Sequence, residues 1–118
     1  MATDQISTTT PEAAQVLVQM HQLLWRASVE AHGRARQNGD VWSVDLAFTL
    51  SHLYAQVYDL VPGAYRNLLL DRPQDSGADP VDLLRRAEEL RRTAPVHHFP
   101  PGTESVLVPL TDTVRDFS

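Results

Sequence analysis

Cysteine and lysine are both missing from this 118-residue chain. Without a thiol there is no disulfide, no cysteine nucleophile and no thiolate-bound metal. Without an ε-amine there is no Schiff-base chemistry and no phosphate loop of the kind that ends in a lysine. All ten basic residues are arginine. With abundant Ala, Val, Leu and Asp, that bias fits a GC-rich coding sequence and points to a bacterium with a high-GC genome. The five glycines are scattered at turns and are not gathered into a phosphate cradle. No apolar run approaches the ~18 residues of a membrane span, and the polar stretch 1–10 lacks the pattern of a secretory signal. A cytoplasmic protein with no membrane partner is expected. The net charge of −5 argues against nucleic acid, whose affinity for proteins comes mainly from cationic contacts to phosphate.

What is present is helical periodicity. The apolar share of 42% and the charged share of 21% suit one globular domain. Residues 1–9 read as a disordered tail. Thr10 then caps a first helix with Pro11 at its first position, where the missing N–H does no harm. That helix runs to about Gln37, with Ala13, Val16, Leu17, Met20, Leu23, Leu24, Ala27, Ala31 and Ala35 on its apolar face. Gln15, Gln19, Gln22, Arg26, Glu30 and Gln37 form its polar face, and Gly33 is a place where it could break. Asn38-Gly39-Asp40 is a stop and a restart, which makes the next helix an antiparallel neighbour.

The second helix, Val41 to Val61, is apolar over most of its circumference. Asp45, Thr49, His52, Gln56 and Asp59 fall within about 80° of arc. Such a helix is expected at the centre of a core, with one polar seam left for water, a partner or a ligand. Pro62-Gly63 ends or kinks it, and Ala64–Leu70 continue for a turn or two. A polar loop over 71–79 leads to Asp79-Pro80, which opens a third helix to about Thr93 with Val81, Leu84, Ala87 and Leu90 inward. Ala94–Gly102 holds three prolines and reads as extended. Val106-Leu107-Val108 reads as a short strand or packed coil, and Thr111–Phe117 as a final helical turn or two.

The expected fold is therefore all-α: a small helical bundle built on a long antiparallel αα-hairpin, with a third helix and an extended C-terminal arm. The bundle occupies residues 10–93, and the Pro-rich arm, 94–118, packs on the bundle or on a partner.

Chemistry is sparse. His21 and His32 fall within the apolar arc of the first helix. If the hairpin closes symmetrically about residue 39, His32 lies level with Asp45 and Leu46, and His21 lies near Asp59. A buried imidazole beside a carboxylate can act as an acid, a base or an orienting group; the plainer reading is a polar seam capped by water. The candidate ligand-binding set is His21, His32, Asp45, His52 and Asp59, flanked by Trp25 and Tyr58. No metal site is expected: His21 and His32 are about 16 Å apart along a helix axis, and no metal-binding histidine spacing occurs. His97-His98, on an extended segment, would point to opposite sides. Asp45 and Asp59 are about 21 Å apart, too far for paired acid–base work. No nucleophile motif, cofactor motif or basic recognition helix stands out. The Arg85, Arg86, Arg91, Arg92 cluster is interleaved with Asp82, Glu88 and Glu89 and pairs with itself.

Function by protein–protein contact follows from surplus large apolar residues and the lack of a catalytic constellation. The chain is expected to be a homodimer, or an accessory or regulatory subunit, with Trp42, Phe48, Tyr54 and Phe99 as interface candidates. The rival reading is a small-molecule-binding or enzymatic bundle that uses the His/Asp seam.

Overall fold

A computed structural model of the chain describes residues 9–70 and 78–117. Helix α1 spans Pro11–Asn38. The Thr10 hydroxyl accepts from the Ala13 N–H at 3.1 Å, and Pro11 occupies the first turn. Gly33 does not interrupt the helix. A side chain there would meet nothing within 4 Å, so this glycine costs some helix propensity and nothing more. The stop comes at Gly39, whose φ of 67° lets its N–H reach the Ala35 carbonyl at 2.8 Å.

Helix α2, Val41–Leu60, begins two residues later. Asp40 caps it with both carboxylate oxygens, which accept from the Ser43 N–H at 3.0 Å and the Ser43 hydroxyl at 2.9 Å. Tight 3₁₀ turns carry the chain over Gly63–Leu70. Helix α3, Pro80–Leu90, repeats the cap-then-proline start, with Asp79 accepting from the Val81 N–H at 3.0 Å. Short 3₁₀ turns at Arg91–Thr93 and Val96–His98 follow. The Thr10 N–H donates to the His98 carbonyl at 3.1 Å, which ties the start of α1 to this segment.

The chain beyond Gly102 differs from expectation. Residues Glu104–Phe117 form a helix, α4, with Pro109 inside it, so Val106-Leu107-Val108 are neither strand nor coil. Their neighbours explain why: Val106, Leu107, Leu110 and Thr113 are the buried positions, a spacing of one, three and three that only a helix turns to one side. The extended character of the arm is confined to the short link before α4. All regular structure among the described residues is helical, and the hairpin of α1 and α2 is the frame of the bundle.

The centre of that bundle is α1, not α2. Helix α1 packs along α2 on one side and α3 on another, while α4 packs on α3 and α2. Ala13, Ala14, Leu17, Leu24, Ala27 and Ala31 are all fully enclosed. Small side chains spread around α1 let its neighbours approach closely from more than one direction. Helix α2 buries Ser43, Leu46, Ala47, Leu50, Leu53 and Val57 but leaves Val41, Trp42, Val44, Phe48 and Tyr58 exposed. Its apolar circumference exceeds what this chain covers.

Candidate functional site

Side chains on an α-helix lean toward its N-terminus, and that lean decides which residues of the hairpin meet. From α1, His32 leans away from the Gly39 turn. Its Nε2 lies 3.0 Å from the Ser51 hydroxyl, which is 2.8 Å from the Ser28 hydroxyl. The His32 ring also meets the edge of Phe48, at 6.5 Å between centroids. These partners sit a turn further along α2 than Asp45, whose side chain leans toward the hairpin turn. Asp45 is exposed and makes no side-chain contact with His32. A Ser–Ser–His line, not a His–Asp pair, therefore stitches this half of the hairpin.

The other half is aromatic. His21 is 5% exposed; its ring stands edge-on to Tyr54 at 5.6 Å and tilted to Tyr58 at 5.8 Å. Arg66, from the 3₁₀ segment, lies over the Tyr58 ring at 4.8 Å and donates from Nε to the Val61 carbonyl at 3.0 Å. His21, Trp25, Tyr54, Tyr58, Asp59 and Arg66 line one open groove of about 550 Å³. A second groove, about 430 Å³, lies nearer the turn and is lined by His32, Arg36, Val44 and Phe48. The proposed seam is thus divided between two grooves. Asp45 and His52 are exposed and line neither of them.

The interface candidates also separate. Phe48 is 68% exposed on the hairpin face. Trp42 points elsewhere, with its ring 5.5 Å from Phe117 of α4. Tyr54 is half-buried beside His21, and Phe99 is enclosed in the core, so Phe99 has no surface to offer a partner. His97 and His98 occupy a 3₁₀ turn with their rings 4.5 Å apart, not the opposed placement of an extended strand. Among the described residues no three His, Asp or Glu side chains are grouped to hold a metal ion, and no helix is long and apolar enough to cross a membrane.

Sequence reasoning gave no role to Ser28, Ser51 or Arg66. Ser28 and Ser51 carry a weak signal, a hydroxyl on an otherwise apolar helix face. Arg66 carries none, because it reaches the groove only through the path of the 3₁₀ segment.

The rows that face outward have a regular spacing. On α1 they are Trp25, Val29, His32 and Arg36; on α2, Val44, Phe48, Ser51, Ala55 and Tyr58. Both advance by alternating steps of four and three, the spacing of a helix stripe made for another helix. No family model, curated protein or solved structure matches the chain.

Proposed function

We propose that the protein acts by protein–protein contact through the open face of its αα-hairpin, and that the partner is a second copy of the chain. The observation that carries this reading is the uncovered α2 stripe, where Phe48 is 68% exposed and Val44 and Tyr58 about two-fifths exposed, beside Val29 of α1 at 47%. The stripe is almost free of charge, so it does not suffer from the net −5 that each copy carries. From Val44 to Tyr58 it is about 21 Å long, and two helices make it ~20 Å wide. That is the scale of a small isologous interface, in which one hairpin lies on another to form four helices around a twofold axis.

Light scattering tests it directly. The expected mass is twice the 13.2 kDa of one chain, falling toward the monomer on dilution. A mass of one chain at every concentration into the millimolar range would refute self-pairing.

A second reading rests on a separate observation. The groove holding His21 puts a buried imidazole beside two tyrosine rings, Asp59 and Arg66 within a volume typical of small-molecule sites. A ligand there would be planar and would carry both a donor and an acceptor. Competition between such a ligand and dimer formation distinguishes the two readings, because the groove opens on the same face.

A further inference from the structure

Arg26 is the least expected side chain in the molecule. By periodicity it belongs to the polar, solvated face of α1, yet it is only 8% exposed. Its Nε is sealed from solvent with no acceptor, and among the described residues it makes no ion pair or hydrogen bond. A guanidinium cannot escape by losing its proton. Burying one without an anion is strongly unfavourable in general, so a folded protein that does so has either a compensating charge or a site for one.

Among the described residues no carboxylate pairs with Arg26. Arg26 lines a groove of about 420 Å³ between α1 and α3, on a different side of α1 from the hairpin face. The next charged groups in it are Arg86, a second cation, and Glu89; among the described residues neither forms an ion pair with the other or with Arg26. Elsewhere on α3 and in the turn that follows it the arginines are satisfied, Arg85 by Asp82 and Arg91 and Arg92 by Glu88. The groove therefore brings together two arginines, one from α1 and one from α3, that pair with no carboxylate among the described residues. Leu23 and Leu90 supply apolar wall, and Gln19 and Thr93 supply neutral hydrogen-bonding groups.

We propose that this groove binds a small organic carboxylate, with its anionic end on Arg26 and Arg86 and its apolar body against Leu23 and Leu90. The planar guanidinium fork matches a carboxylate through two parallel N–H donors. Glu89 in the same groove offsets part of the positive field, which favours a single negative charge over the near-double charge of a phosphate. The volume suits a compact molecule and not a polypeptide.

The test is a titration of the full chain, labelled with ¹⁵N, with benzoate and hexanoate against inorganic phosphate and chloride at matched ionic strength. The expected result is a saturable shift of the Arg26 Nε–H signal and of the Leu90 and Thr93 amides. Benzoate or hexanoate should saturate at least tenfold below phosphate, and chloride should not saturate. Arg26→Met keeps the volume, removes the charge and should abolish saturation, while its melting temperature without ligand stays level or rises. If Arg26→Met fails to fold, Arg26→Lys serves in its place and should weaken benzoate binding about tenfold through loss of the fork. No saturable shift with either carboxylate overturns the proposal. So does saturation that is unchanged in the folded Arg26 variant, or phosphate binding tighter than both carboxylates.

Discussion

Replacing Phe48 with alanine separates two things that an apolar side chain on α2 can do. A phenylalanine side chain offers roughly 200 Å², and 68% of Phe48 is exposed in the single chain. About 140 Å² is therefore left for a partner, and covering it at ~25 cal/mol per Å² contributes up to about 3 kcal/mol per copy. A twofold interface uses the residue twice, so the ceiling is about 6 kcal/mol. Half of that already weakens the dimer about a hundredfold. The fold of the monomer loses only the covered third of the ring, about 1.5 kcal/mol. Sedimentation over a dilution series reads the first effect, and urea unfolding at concentrations where both proteins are monomeric reads the second. A wild-type dimer whose dissociation constant is unchanged by Phe48→Ala removes the α2 stripe as the interface. A variant destabilised by 3 kcal/mol or more places Phe48 in the core and contradicts the packing described above.

Leu50, two residues along the same helix and fully enclosed, should behave in the opposite way. Leu50→Ala is expected to cost about 3 kcal/mol of unfolding free energy with the subunit affinity changed far less than by Phe48→Ala, by the same two measurements. Glu88 is 6% exposed and accepts from Arg91 at 3.1 Å, Arg92 at 3.0 Å and the Thr111 hydroxyl at 3.4 Å, so it joins α3 to α4. Glu88→Ala should destabilise by about 2 kcal/mol in urea, with α4 losing amide-exchange protection first; uniform loss of protection would show that α4 does not depend on this joint. Asp40 has its carboxyl held below the ordinary value of 3.8, because the Ser43 backbone N–H and then its hydroxyl donate to the charged form. A depressed folded value means that this contribution is complete above the unfolded value and is lost as pH falls through the folded one. The stability advantage of wild type over Asp40→Asn should therefore be constant from neutrality down to about pH 5 and shrink below pH 4, as followed by thermal melts. An advantage that already shrinks between pH 7 and pH 5 would reject this assignment.

Local signals in this chain were legible because they depend on a few adjacent atoms. Thr10-Pro11, Asn38-Gly39-Asp40 and Asp79-Pro80 mark helix ends through the geometry of one side chain or one positive φ, and each stands where the sequence places it. The αα-hairpin follows from two such ends lying close together. The segment around Val106–Val108, followed by Pro109, was harder to read for the opposite reason. A proline weakens a helix only by removing one N–H and crowding one turn, and the packing of Val106, Leu107 and Leu110 against the bundle outweighs that loss.

The candidate site was less legible. A helical wheel assigns each residue an angle on its own helix, but not the register or lean that decides which residue opposite it meets. Thus His32 could be placed on the inner arc, while its partner, Ser51 and not Asp45, depends on side-chain direction in three dimensions.

Composition and periodicity by themselves determined that this chain is helical, where its first three helices begin, and that it carries more apolar surface than one short bundle needs. Tertiary structure alone decided that α1 is enclosed and α2 is not, and that Arg26 is buried while Gln15 and Gln19 on the same face stay exposed. The physical reason is that burial belongs to a pair of surfaces. A residue's own chemistry sets how strongly it favours leaving water, but whether it leaves depends on how closely the neighbouring helices can approach, and here the small side chains of α1 draw them to that helix.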